Sequence, residues 1–239
     1  MINSCPGQDK RKVRPEPITC SSCGYESEIF SDEMKASCPK CRKVFYREVL
    51  PTCLDWCASA KECLGGQAYG DYIKNKSLLL KEKLLTQLKE YFGSDTKRIN
   101  HARKVLDYAE EILRQEGGNW QVVVPAAILH DVGIKIAEQK YGSNSGHLQE
   151  QEGPKVARGI LLKLGFKNKE IDQICQIIRY HHSPGKIDSA DFRIILDADW
   201  LVNLKEIKGT QEKEKIINNV FATKTAKEIA RKAYLAKEE

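Results

Sequence analysis

The chain has 239 residues, 41% of them hydrophobic and 30% charged, with a net charge of +6. That leaves room for one mid-sized domain and a small module, in the composition range of a globular protein. The modest excess of Lys and Arg fits a solvated mixed-charge surface, with weak attraction for polyanions or phosphorylated small molecules as the competing reading. No stretch reads as the ~20 apolar residues of a membrane helix. The longest apolar run, Val122–Leu129, contains Pro125, and the N-terminus has no apolar signal core. The expected location is cytoplasmic, with no membrane partner.

In chain order, residues 1–17 carry three Pro, several charges and no apolar period, and read as a flexible arm. Residues 18–47 hold two knuckles, Cys20-Ser-Ser-Cys23 and Cys38-Pro-Lys-Cys41, with short strand-like runs at Tyr25–Phe30 and Val44–Tyr46. Residues 48–70 form a cysteine-bearing connector with Cys53, Trp56, Cys57 and Cys63, broken at Gly65-Gly66. From residue 71 to 239 the pattern is helical. Gly93 ends the first helix, and Ser94 or Asp95 caps a second that stops at Gly117-Gly118. A third runs over 122–132 with Pro125 in its first turn, and a polar loop follows at Gln139–Ser145. Helices at 151–164, 168–182 and 190–204 come next, then one or two over 211–236. The expected fold class is mainly α: an all-helical domain preceded by a small β module.

Eight of the nine cysteines lie in the first 63 residues; the ninth, Cys175, sits in an apolar helical run as a buried structural thiol. Two Cys-x-x-Cys pairs 14 residues apart predict a structural zinc site of the zinc-ribbon kind on Cys20, Cys23, Cys38 and Cys41. About 30 residues cannot bury a sufficient core, so the metal supplies much of the folding energy. Lys40, Arg42, Lys43 and Arg47, with Tyr25, Phe45 and Tyr46, could contact nucleic acid or protein; the bland reading is a tiny aromatic core with solubilising charges. Cys53, Cys57 and Cys63, with Cys5 as a fourth ligand, could hold an iron–sulfur cluster or a second zinc, or simply pack around Trp56.

All five histidines, His101, His130, His147, His181 and His182, lie within 82 residues, in or beside helices. The distinctive string is Ala126-Ala-Ile-Leu-His130-Asp131-Val-Gly133, a His-Asp pair after an apolar tetrad. Adjacent helical residues diverge by ~100°, so both reach one site only near a helix end, where Gly133 stands. Two further strings carry ionisable groups: Tyr180-His181-His182 and Asp197-Ala-Asp199-Trp-Leu201.

The order His … His-Asp … Asp over roughly residues 95–205 resembles the HD superfamily of metal-dependent phosphohydrolases. The resemblance implies that His101, His130, Asp131 and Asp199 are metal ligands, with Asp197 as runner-up for the last position. Asp197 and Asp199 point ~200° apart on a helix, so only one of them serves the metal. Members that bind two metals carry further histidines where His147 and His181 or His182 fall. The implied cofactors are one or two divalent ions among Mn, Fe, Co, Ni and Zn. Catalytic roles fall to His130 and Asp131, with Lys135, Arg103, Arg179 or Lys186 as phosphate-neutralising cations. Members that cleave cyclic dinucleotides read His-Asp-Ile-Gly-Lys and carry Gly-Tyr-Pro. Here the lysine is displaced by one residue and Gly-Tyr-Pro does not occur, so that substrate is disfavoured.

The expected activity is hydrolysis of a phosphomonoester or phosphodiester in a nucleotide or another small phosphorylated metabolite. The alternatives are a nucleotide- or nucleic-acid-binding module with a non-catalytic metal and, lower in rank, oxygen chemistry at a di-iron site.

Overall fold

The computed structural model describes residues 13–20, 22–30, 35–46 and 59–235. The chain divides into two compact units, Met1–Leu80 and Lys81–Glu239.

In the first unit, β1 (Pro15–Thr19) pairs antiparallel with β2 (Glu26–Phe30), Pro15 opposite Phe30. β3 (Lys35–Ser37) pairs antiparallel with β4 (Val44–Tyr46). β1 therefore begins inside the segment expected to be a flexible arm. Its two prolines hid it: Pro weakens a strand reading, yet every strand of a two-stranded sheet is an edge, where a missing N–H is tolerated. Two helices follow, α1 (Ala60–Leu64) and α2 (Gly66–Phe92), separated by Gly65 at φ 83°. Cys5, Arg47, Cys53, Trp56 and Cys57, and the side chains of Phe45, Tyr46 and Cys63, lie outside the described residues.

The second unit takes the end of α2 and then α3 (Thr96–Glu116), α4 (Trp120–Leu129), α5 (Gly133–Tyr141), α6 (Gly146–Lys163), α7 (Asn168–Tyr180) and α8 (Ala190–Asn203). A short 3-10 turn, Leu204–Glu206, leads to α9 (Thr210–Asn219) and α10 (Lys224–Tyr234). Asp95 caps α3 by accepting the Arg98 N–H, as its position before the apolar period predicts. α4 is the centre of the unit: every residue from Val122 to Leu129 is buried, and the helix packs on α3, α7 and α8. Each such aliphatic side chain contributes roughly 1.5–3 kcal/mol by leaving water.

Trp120–Tyr141 is long and apolar enough to cross a membrane, contrary to the reading from sequence. Here 67% of its most apolar stretch is buried inside the unit, so the apolarity serves the core.

Two helix boundaries differ from expectation for one reason. Gly133 does not end a helical region; it opens α5. A Cβ there would stand 2.2 Å from the Gln149 carbonyl oxygen, so this glycine lets the start of α5 lie directly against α6. α6 in turn starts at Gly146 rather than near 151, and carries Pro154 internally. A Cβ at Gly146 would come within 2.9 Å of the His182 ring, so the early turn of α6 exists where it can pack on that histidine.

Candidate metal centre

The turn His130–Val132 joins α4 to α5 and carries the His-Asp pair at the end of the most buried helix. His130 is fully buried, and its Nδ1 donates to the Ala127 carbonyl at 2.8 Å. His181, the residue after α7, repeats the device: its Nδ1 donates to the Ile178 carbonyl at 2.7 Å. A carbonyl oxygen only accepts, so each ring keeps its proton on Nδ1 and leaves Nε2 bare when neutral. That is how ligating imidazoles are held: one nitrogen fixed by a carbonyl and the other free for a metal.

The bare nitrogens point at carboxylates. His130 Nε2 lies 3.2 Å from His101 Nε2 and 3.3 Å from Asp131 Oδ2. His101 Nε2 lies 3.0 Å from Asp199 Oδ1, and His130 Nε2 lies 3.7 Å from the same oxygen. Ligands about 2.1 Å from one ion stand about 3.0–3.4 Å apart, so this donor set fits a divalent metal. Asp131 also turns Oδ1 toward His181 Nε2 at 3.5 Å. That Nε2 is a buried polar atom without a hydrogen-bond partner, another mark of a group meant for a ligand. Asp131, His181 and His182 form a second cluster whose ligand atoms all lie within 4.8 Å of one another.

The electrostatics agree. Burial disfavours a charged His130, but the neighbouring Asp131 and Asp199 carboxylates overcome it and raise its pKa to about 9. Burial likewise opposes ionisation of Asp131, yet His130 and His181 hold it well below the ordinary carboxylate range. Burial pushes Asp199 up, and the His101 hydrogen bond with the His130 charge brings it below its ordinary value. In the metal-free protein a proton does part of the work that a cation would do.

Asp199 therefore stands in the cluster, and Asp197 does not. Asp197 is fully buried on the other side of α8 and accepts the backbone N–H groups of Ala222 at 2.9 Å and Thr223 at 2.7 Å. Its role is to fix the turn before α10. Asn203, one helical turn after Asp199, donates to Asp199 Oδ1 at 3.0 Å.

Two expected site residues lie elsewhere. The Lys135 ammonium donates to the Tyr91 carbonyl and sits 5.0 Å over the Tyr91 ring, while the Tyr91 hydroxyl donates to the Val132 carbonyl at 2.9 Å. Lys135 thus braces the His-Asp turn against the end of α2 and does not line the site. His147 is exposed on the first turn of α6 and belongs to none of the ligand clusters among the described residues. Arg103, Arg179 and Lys186 are also exposed and do not line the cleft at the cluster.

That cleft has a volume of about 290 Å³. It is lined by His101, Asp131, His182 and Asp199, and by polar side chains unmarked in the sequence, among them Lys97, Arg98, Asn144, Gln149 and Glu206. Arg98 is pinned by Asp95 and Glu138, whereas Lys97 is exposed and makes no ion pair among the described residues. Asn203 carried a usable signal, four residues after an expected ligand on one helix. The others had none, because their place depends on how α3, α6 and α8 pack.

In the first unit, Cys20 Sγ lies 3.7 Å from Cys41 Sγ, and Cys23 Sγ lies 3.5 Å from Cys38 Sγ. Four thiolates about 2.3 Å from a tetrahedral zinc stand about 3.8 Å apart, so the cluster fits a structural zinc. The knuckles match each other: Gly24 donates to the Cys20 carbonyl and Arg42 to the Cys38 carbonyl. Both residues adopt left-handed backbone, at φ 69° and φ 59°. The Cys41 backbone N–H, with that of Lys40, draws the Cys38 thiol down to about 6.

Comparison with known families matches residues 98–232 to the HD domain, more than half of the chain. The protein belongs to the HD family. It is a metal-dependent hydrolase, preceded by a cysteine cluster of the structural zinc kind. Among solved structures it is similar to a "predicted HD superfamily hydrolase" from an uncultured Thermotogales bacterium, at 27% identity and a TM-score of 0.49. That alignment covers 64% of this chain and 84% of the other. No curated protein matches the chain.

Proposed function

We propose that the helical unit hydrolyses a phosphoester bond in a nucleotide or another small phosphorylated metabolite, using two divalent transition metals. One observation carries the reading. Nε2 atoms left bare by their own Nδ1–carbonyl bonds meet ionised carboxylates beside a cleft that Lys97 and Arg98 also line. A divalent ion bound there supplies Lewis acidity toward a phosphoryl oxygen and acidifies a water. His101, His130 and Asp131 Oδ2 would hold the first ion, with Asp199 beside them through its contacts to both histidines; Asp131 Oδ1, His181 and His182 would hold the second.

The remaining residues bind and orient. Lys97 offers an uncommitted ammonium to the phosphate. Arg98, fixed between two acids, contributes a stationary positive charge. Asn203 holds the Asp199 carboxylate in place. Turnover of a panel of nucleotides, sugar phosphates and p-nitrophenyl phosphate with Mn, Co or Ni tests the reading. Metal-dependent release of phosphate from at least one compound is expected, with a KM that rises in Lys97→Ala; inactivity across the panel would overturn it.

A second surface is supported by the exposed Tyr25, Lys40, Arg42 and Lys43 around the cysteine cluster. It suits nucleic acid or an acidic protein segment. A salt-sensitive mobility shift with single-stranded RNA or DNA, lost in Cys20→Ser, is the check.

A further inference from the structure

His182 differs from His130 and His181 in how its ring is held. Gln149, buried on α6, donates its Nε2 to the Asn144 carbonyl at 2.6 Å and sets its Oε1 3.1 Å from His182 Nε2. The amide has only one workable orientation. Turned over, its oxygen would face the carbonyl oxygen of Asn144, and its NH2 group would be lost to that acceptor. Gln149 Oε1 must therefore accept, and the neutral His182 carries its proton on Nε2. The lone pair left to the cluster is on Nδ1, the reverse of His130 and His181.

The backbone of the same segment is tied down by the next residue on α6. Glu150, also buried, accepts the His182 backbone N–H at 2.9 Å and the Ser183 hydroxyl at 2.8 Å. A Cβ at Gly146 would come within 2.9 Å of one side of the His182 ring, and the His181 ring lies 3.9 Å away, centre to centre. The ring is thus held in position, orientation and tautomer by the Gln149 amide rather than by a backbone carbonyl.

We propose that Gln149 is the α6 positioning residue of the second cation site, fixing His182 as the Nε2–H tautomer so that Nδ1 serves the ion, and that His147 has no part in that site. The inference rests on the two-ion reading above. It departs from the expectation that the α6 contribution to the second ion is a histidine.

The test counts Mn bound by the full-length protein, since Mn favours the His and carboxylate donors over the thiolates. It also reads His182 by 15N-edited NMR of the metal-free protein. Wild type should take up two Mn per chain and show a His182 Nε2–H protected from exchange. Gln149→Leu should lose that protection and weaken the second Mn on the order of ten- to a hundred-fold, as loss of a ligand-orienting partner does. Gln149→Glu keeps an acceptor for the Nε2–H and should restore tight binding. His147→Ala should match wild type in both readouts. Uptake of a single Mn by wild type would overturn the two-ion reading and the inference with it. Two Mn with a His182 Nδ1–H signal, with undiminished affinity in Gln149→Leu, or with the loss in His147→Ala, would overturn the role of Gln149 alone.

Discussion

The four clustered cysteines of the first unit come from two tight turns, Cys20 and Cys41 being 21 positions apart. His101 and Asp199, in the second unit, are 98 positions apart and come from different helices. Among the described residues, Cys20 and Cys38 pack against the partly buried Ile18 and Ala36. The His/Asp centre sits on helices whose apolar faces form the core of the unit. A zinc held by the first cluster would help to make the structure around it, whereas in the second unit the packed helices make the site. A closed set of four sulfurs leaves no position for a substrate, whereas donors beside a cleft do.

The largest effect expected from that contrast is in the cysteine module. Cys20→Ser should release the zinc and unfold the module, because a structural zinc supplies most of the folding free energy of so small a unit. The helical far-UV signal should persist. Retention of zinc together with native strand signals in that variant would break the comparison.

Next come the two carboxylates of α8, which separate stability from chemistry. Asp197→Ala takes the acceptor from the backbone N–H groups of Ala222 and Thr223, the second of them buried, and should cost about 2 kcal/mol of stability in a denaturant titration. Its metal content should not change. Asp199→Ala should do the opposite, losing metal while melting close to wild type. Equal behaviour of the two variants would contradict the assignment.

The third effect is pH dependence. In the chelated protein the pKa of His130 is raised from its ordinary 6.5 to about 9, against the pull of burial, by Asp131 and Asp199. A raised pKa adds stability that is fully present below the unfolded value and lost as pH climbs through the folded one. The metal-free protein should therefore melt at lower temperature as pH rises from 6.5 to 9. The Mn-loaded protein should show the reverse slope, since ligation displaces that proton. Parallel melting curves across this window would show that His130 is not the group a metal discharges.

The smallest effects belong to the two residues placed outside the centre. Lys135→Met should lower stability by about 1 kcal/mol, through the lost bond to the Tyr91 carbonyl, with kcat/KM down less than roughly threefold. His147→Ala, on an exposed turn, should change stability by less than about 0.5 kcal/mol.

These contrasts also mark what could be read from the sequence. The His … His-Asp … Asp order was legible because each ligand belongs to a local string; the angle between Asp197 and Asp199 on one helix showed that only one could serve, and the family resemblance favoured Asp199. The cysteine pairs were legible because their turns are local. α5 was missed because a glycine after a His-Asp pair looks like a stop, when its small size instead permits a close crossing with α6. Lys135 was misread because a lysine near a metal motif looks like a phosphate ligand, and only the folded chain shows its ammonium on the Tyr91 carbonyl. Gln149, Glu150 and Lys97 left no local trace. Their roles come from the juxtaposition of helices that no periodicity encodes.

On the proposed reading, His101, His130, Asp131 and Asp199 form a catalytic metal centre. The most direct test is to strip the protein with a chelator, add Mn back stepwise, and follow phosphate release from the best compound of the substrate panel. Activity should be absent from the stripped protein and return in proportion to Mn bound. It should stay at least about a thousand-fold lower in Asp131→Ala at the same Mn concentration, the several kcal/mol that a catalytic metal contributes. Full activity in the stripped protein, or in Asp131→Ala, would contradict the account.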